Sequence, residues 1–437
     1  MKQPNIIYIL TDDLGYGDLG CYGQTKIKTP CLDRMAAEGM RFTRHYAGAP
    51  VCGPSRACLM TGRHQGTGYI KGNPVNGNDV PLRPEDRTIA ESLQTAGYAT
   101  ACIGKWGLGK AGSTGYPTRK GFDHFYGYDS HRACHDYYPD FLWRGESKEP
   151  LPAGTYSHDA LTAEALRWVG EAAEREQPFF LYLAYTIPHD PHDPPDDKPY
   201  SDERWPEKYR NYAAMITRLD RDVGWLFALL AEKGIDERTI VLFASDNGPG
   251  STYNAENRDM ARFFRSAGDY RGMKRDVYDG GIRVPLLARW PGFVAAGAVS
   301  THLSAFQDVF PTLAELAGAA MPEGLDGISM VPELLGRSGK QQRRHERLYW
   351  EFTNYGESAG GRQSCLDAVN GWKAVRYGSK GAVELYDIEQ DWAETHNVAS
   401  VHPEAASELA RYMDEVRTHS ELWPMPEQGW KPEGVIE

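Results

Sequence analysis

The chain has 437 residues, 41% of them hydrophobic, enough for a large core and long for one ordinary domain. Its formal net charge of −12, uninterrupted by any run of lysine or arginine, argues against a nucleic-acid backbone as partner. No stretch approaches the ~18 consecutive apolar residues of a membrane span, and the seven cysteines show no Cys-x-x-Cys or zinc spacing, all but Cys52 suiting mostly buried thiols in a reducing compartment.

The first element is "NIIYIL" (5–10), a β-branched run ending in Thr-Asp-Asp. The chain runs straight into it, with no leader-like apolar region, so the expected location is the cytoplasm, or the periplasm or exterior if a leader has been removed. Helical patterns follow at 32–40, 88–97 and 160–176. "PFFLYLAY" (178–185) is a second apolar run, ending in "TIPHDP". A long helical pattern covers 212–234, and "RTIVLFAS" (238–245) is a third run, ending in "DNG". Nearly continuous apolar strands alternating with helices predict an α/β fold with a large, mostly parallel sheet covered on both faces.

Beyond about residue 340 the pattern changes. "RLYWEF", "GWKAVRYG" and "AVELYDIE" read as short antiparallel strands, followed by a helix in "PEAASELARYMDEVRTH". The expected organisation is a catalytic α/β domain over 1–340 and a smaller C-terminal α+β subdomain over 341–437. Ligands of open α/β sheets sit at the carboxyl ends of the strands, so the three polar strand ends should converge on one crevice.

Asp12 and Asp13 follow the first strand, and Asp246 and Asn247 follow the third. An isolated Asp-Asp is ordinarily a solvated turn. Two such pairs at matching positions instead favour a hard-cation site for calcium or magnesium. Arg56, Lys105 and Lys274 stand near glycines that let backbone and cation approach a small ligand. Each alone reads as a surface cation. With His189, in "IPHDP", they would supply the local positive field an anionic sulfate or phosphate ester needs. Cys52 opens "CGPSRACLMTG", and Pro54 suits a first helical turn, which places the thiol at a helix N-terminus that favours an anion. A thiolate nucleophile and a packing cysteine are both consistent with that position, but neither explains Pro54 and Arg56.

"Cys52-Gly53-Pro54-Ser55-Arg56" closely resembles the signature of type I sulfatases, the formylglycine-dependent members of the alkaline phosphatase superfamily. Further family-like blocks occur in order: "TDDLGYGDLGCYG", "GKWGLG", "PHDP", "SDNG" and "YDGGIRVP". The resemblance covers nearly the whole chain. It implies an alkaline-phosphatase-like fold and a sulfuric ester hydrolase acting on a sulfated small molecule or saccharide. It also implies that Cys52 is oxidised to formylglycine by a formylglycine-generating enzyme or an anaerobic maturase. Asp12, Asp13, Asp246, Asn247 and the modified residue 52 would hold calcium, with magnesium as the other candidate. Arg56 and Lys105 would stabilise the modified side chain, and Lys105, His189 and Lys274 would bind sulfate.

One position departs from the family pattern: Gly107 stands where histidine is usual, in "GKWGLG". A substitute is expected from "GYDSHRACHDYYP", with His135 favoured slightly over His131. The aromatic loop 121–144, including Trp143, is expected to offer stacking faces to a saccharide, and Arg362 and Gln363 to line the same pocket. Two rival readings share the motif: a phosphonate monoester or phosphodiester hydrolase, and a catalytically impaired binder of sulfated glycans. Neither nucleic acid nor membrane is an expected partner, and the sequence leaves the oligomeric state open.

Overall fold

The three apolar runs become the middle of one sheet, because each is flanked by too much apolar surface to face water on either side. The computed structural model describes residues 3–73, 79–250, 254–337, 341–353 and 360–429. In it β1 (Asn5–Thr11), β4 (Ala99–Lys105), β5 (His124–Tyr128), β8 (Phe179–Ala184) and β9 (Thr239–Ser245) run parallel in the order β9-β1-β8-β4-β5. Shorter strands extend this core to a 10-stranded mixed sheet. On one side lie β10 (Leu286–Arg289), β2 (Met40–Phe42) and β11 (Ala298–Ser300), on the other β6 (Phe141–Arg144) and β7 (Ser147–Pro150). A separate pair joins β3 (His45–Tyr46) to β12 (Ser304–Ala305).

Alternation along the strands splits the core into two layers. Ile6, Tyr8 and Leu10 face a cluster with Leu59, Leu93 and Leu313, contributed by α2 (Cys52–Thr61), α3 (Ile89–Thr95) and α8 (Val309–Ala317). Ile7 and Ile9 face the other side. There they meet Leu32, Val169, Leu219 and Phe264 of α1 (Pro30–Glu38), α4 (Ser157–Ala173), α5 (Glu207–Glu232) and α6 (Ala255–Phe264). Register then sets the functional edge. Leu10 pairs with Ala184, Thr11 with Ser245 and Gly104 with Ala184, so the polar residues after β1, β8 and β9 leave the sheet at the level where β4 ends in Lys105. None of the described helices is long and apolar enough to cross a membrane.

The C-terminal region forms a second, four-stranded antiparallel sheet. Its strands are β13 (Arg347–Phe352), β14 (Arg362–Asp367), β15 (Trp372–Tyr377) and β16 (Val383–Asp387), in chain order, with the helix Pro403–Glu415 on one face. β14 is an addition to the strands expected from sequence. "RQSCLD" is polar and lacks an apolar alternation, yet every residue in it is buried because it lies between β13 and β15. This sheet docks on the main one through Trp350, which packs at a tilt against Tyr46 with ring centres 5.1 Å apart and donates from Nε1 to Ala47 O at 2.8 Å.

A second tie joins the segment before β13 to the main domain: His345 Nε2 lies 2.7 Å from Asp308 Oδ1. Burial alone would lower this imidazole, but the charge and hydrogen bond of Asp308 raise it above its ordinary 6.5. A value raised by folding means the stabilisation is complete below the unfolded pKa and is lost as pH climbs through the folded one. The His345 contribution to the wild-type urea midpoint should therefore be lost as pH rises above about 6.5. His345→Gln should make the midpoint's fall over that range shallower. An unchanged slope in the variant would exclude His345 as its source.

Candidate active site

Cys52 is the first residue of α2, and Pro54 lies within the first turn, where a missing backbone N–H leaves no intrahelical bond unmade. The helix is buried along its whole length and stops at Gly62, whose φ of +66° a side chain would strain; its N–H reaches Cys58 O at 2.9 Å. Burial raises the Cys58 and Cys102 thiols alike. Cys52 behaves differently. Burial pushes it up, but Lys105, His131 and Lys274 outweigh that and bring it down to about 5.

The strand ends deliver the carboxylates. Asp12 is fully buried, its Oδ2 2.6 Å from Lys105 Nζ and 3.8 Å from the Arg56 guanidinium. Asp246 Oδ2 receives Arg56 Nε at 2.9 Å, with the Nη2 nitrogen of Arg56 at 2.8 Å. Asp13 adopts φ +65°, an uncommon conformation for a non-glycine residue. That turn brings its carboxylate to Lys274 Nζ at 2.6 Å and to Asn247 Nδ2 at 2.8 Å, with His189 Nε2 3.5 Å away. Arg56 also donates to Lys105 O at 3.0 Å, which joins the end of β4 to α2.

Three carboxyl groups and three cations thus contact one another before any ligand enters. The balance is uneven within the cluster. Burial would raise Asp12, yet Lys105, His189 and Arg56 hold it well below the usual carboxylate range. Asp246 goes the other way, to about 8, because burial and the charge of Asp12 outweigh Arg56. Burial also holds His189 well below its usual value, with Lys274 adding to the effect.

The donor set fits a hard divalent cation. Asp12 Oδ1 and Asn247 Oδ1 are buried oxygens with no hydrogen-bond donor, an expensive arrangement unless something cationic meets them. Ligand atoms of Asp12, Asp246 and Cys52 lie within 4.8 Å of one another, as do those of Asp12, Asp13 and His189. Oxygen donors predominate, as calcium or magnesium requires. A divalent ion here would also suppress the protonation that burial favours at Asp246.

Asp12, Asp13, Cys52, Arg56, Lys105, His189, Asp246, Asn247 and Lys274 therefore come together at one edge of the sheet. His135 lies there too, stacked on His189 with ring centres 3.9 Å apart. Two other expectations need correction. Arg362 and Gln363 do not line a pocket, because β14 is buried inside its sheet: Arg362 pairs with Asp276 and donates to Arg275 O at 2.8 Å, and Gln363 bonds Tyr349. The loop 121–144 largely packs rather than presenting free rings. Tyr126, Tyr128 and Tyr137 are buried, Tyr137 donating to His189 O at 2.6 Å, and Trp143 packs edge-on against Tyr116 and Phe141. Asn73 was not anticipated. Its Nδ2 is 3.5 Å from Cys52 Sγ and its Oδ1 accepts from Gly53 N at 2.9 Å, a juxtaposition that no local motif announces.

A parallel sheet with a buried ion cluster at its strand ends, a small antiparallel sheet beside it and a cysteine leading a helix into the cluster define an alkaline-phosphatase-like hydrolase. The sulfatase family model matches residues 4–319, and a model described as N-sulphoglucosamine sulphohydrolase, C-terminal, matches 269–419. Human arylsulfatase A is 37% identical over 403 residues, 86% of this chain and 74% of that protein. Canine N-acetylgalactosamine-6-sulfatase is 34% identical over 363 residues, 77% of this chain, and the chain spans 66% of that protein's length. The solved structure of Ps i-CgsB in complex with k-i-k-neocarrahexaose superposes with a TM-score of 0.83 at 29% identity, covering 97% of this chain and 95% of that one. The chain belongs to the sulfatase family of enzymes.

Removing one member of a fully buried ion pair leaves the other uncompensated. Arg56→Met should therefore cost about 3–5 kcal/mol in urea unfolding. Adding Asp246→Asn should recover part of the loss, since the two share one interaction. Simple additivity of the two substitutions would contradict the coupling.

Proposed function

We propose that this protein hydrolyses a sulfate monoester carried on a carbohydrate, with formylglycine made from Cys52 as nucleophile and a calcium ion in the acidic cluster. The observation that carries this reading is the position of Cys52. It heads a buried helix among Lys105, Lys274, Asp12 and Asp246, in a sequence a maturation enzyme of the formylglycine-generating type would recognise. Support for a carbohydrate comes from relatives whose names specify N-acetylgalactosamine-6-sulfate chemistry or whose structure holds a neocarrahexaose.

Asp12, Asp13, Asp246 and Asn247 would hold the cation, with residue 52 beside it. Bound there, calcium supplies positive charge that favours an ionised hydroxyl and a sulfuryl oxygen. Hydrated formylglycine supplies two hydroxyls on one carbon, one to attack sulfur and one to drive release of sulfate. The chain's own groups do the rest. Lys105 and Arg56 hold positive charge beside residue 52 and orient Asp12 and Asp246. Lys274, kept protonated by Asp13, can neutralise the sulfuryl group and give a proton to the departing alcohol. His189, 3.5 Å from the Asp13 carboxylate, is placed to hydrogen-bond the same ester.

Protein made alongside a maturation enzyme should show the Cys52 peptide lighter by about 18 Da and should release sulfate from sulfated saccharides. Cys52→Ala should lower that release by at least about 10³-fold. A wild-type peptide of unmodified mass with full turnover, or faster cleavage of a phosphonate than of any sulfate ester, would overturn the reading.

Calcium should raise the melting temperature. Saturation to a hundredfold above Kd corresponds to about 2.7 kcal/mol. Chelator should reverse the shift, and Asp12→Asn should abolish it. A melting temperature indifferent to both calcium and magnesium would remove the cation from the site.

A further inference from the structure

Gly107 has φ +72°, and a Cβ built there would lie 2.8 Å from Cε1, 3.0 Å from Nε2 and 3.1 Å from Nδ1 of the His131 ring. A Cβ on Gly53 would come within 3.0 Å of the same Nε2. The 2.8 Å approach at position 107 is closer than real side chains come, and the 3.0 Å approach at position 53 is tighter than nearly all of them. The ring of His131 therefore fills the space that side chains at 53 and 107 would claim, directly against the first turn of α2.

The ring is also held in a defined way. His131 is 7% exposed, and its Nδ1 lies 3.1 Å from Asp79 Oδ1, whose other oxygen is 3.6 Å from Lys110 Nζ. Accepting from Nδ1–H, Asp79 selects the tautomer that leaves Nε2 with a free lone pair. That Nε2 is buried and has no hydrogen-bond partner among the described residues. The ring nevertheless lies close enough to Cys52 to help bring its thiol down. His135 is engaged differently, lying flat on His189. An oriented, unpartnered imidazole nitrogen against the nucleophile is an arrangement that packing alone does not require.

We propose that His131, positioned by Asp79, is the catalytic base that releases sulfate from residue 52, and that glycine stands at 107 because the His131 ring needs the room. The proposal rests on the formylglycine reading above. In this step Nε2 takes the proton of the hydroxyl on residue 52 that is not esterified. The O–H electron pair becomes the second bond of C=O, the C–O bond to the sulfate breaks, and its electron pair leaves on the sulfate. The aldehyde is restored, its rehydration by water returns the second hydroxyl, and His131 passes its proton to solvent.

The test compares His131→Gln, His135→Gln and Asp79→Asn, each made with the maturation enzyme and checked for conversion of Cys52. His131→Gln should slow turnover by about 10²-fold or more. Acid-quenched during reaction with a sulfate ester, its residue-52 peptide should carry about 80 Da of added sulfuryl group, because the second half-reaction stalls. His135→Gln should show no such adduct. Asp79→Asn should lose less activity and show the same adduct. It carries the decision if His131→Gln does not fold.

A His131→Gln enzyme within about threefold of wild type, or one that slows with no adduct, would overturn the proposal. A second arm uses protein made without conversion. There, alkylation of the Cys52 thiol by iodoacetamide at pH 7 should slow in His131→Gln and not in His135→Gln. Equal rates would dismiss the contact. If wild-type protein shows neither conversion nor sulfatase activity, the formylglycine reading fails, and this second arm still judges His131.

Discussion

Six charged groups, Asp12, Asp13, Asp246, Arg56, Lys105 and Lys274, are buried against one another at the carboxyl edge of five parallel strands, and the rest of the molecule accommodates that arrangement. Taking a single ion out of water costs several kcal/mol even after relaxation. The cluster survives because every member has an opposite charge within about 3 Å, most with a second hydrogen bond as well. The pairing is imperfect on the acidic side, where Asp12 and Asn247 each leave an oxygen unmet and Asp246 is held near 8. The same imperfection makes the cluster receptive to a divalent ion. Three carboxylates balanced by three cations become net positive by the charge of that ion, which is the field an anionic ester needs in a chain whose overall charge is −12.

The second sheet contributes to this edge although none of its residues enters the ion cluster. Lys274 lies on a loop between α6 and the short helix α7 (Asp279–Ile282), with little regular structure of its own. Arg362 of β14 clamps that loop by pairing with Asp276 and donating to Arg275 O. Lys373 of β15 meets Asp279 at 2.6 Å and Glu394 at 2.9 Å, all three buried. These contacts set where the Lys274 ammonium sits relative to Asp13. The smaller sheet thus acts on the site through backbone position, and the arginine that sequence reasoning placed in a pocket works from inside the fold.

Much of the architecture is legible in residue order. β1, β8 and β9 are uninterrupted apolar runs because both faces are covered, and their helices carry the 3.6-residue pattern. Strands such as β14 are not legible in this way. "RQSCLD" has the composition of a loop, and only its neighbours on both sides bury it and satisfy its backbone. The short outer strands β2, β10 and β11 pair over only three or four residues each and leave no periodic signal. At the site the paired acids at matching strand ends and the glycine-flanked cations could be picked out, since their local context is unusual. Asn73 and Asp79 could not, because nothing in "IKGNP" or "NDV" marks a residue that will face Cys52 or His131.

Sequence alone determined which strands carry the polar ends, since continuous hydrophobicity demands burial on both faces and so forces the acids out at the edge. It also determined the chemistry available there, because Cys-Gly-Pro-Ser-Arg restricts what can lead the helix. The tertiary structure decided which histidine lies against that helix. Gly107 and His131 are 24 positions apart in the chain, and only packing reveals that the room left by a missing side chain at one is filled by the ring of the other.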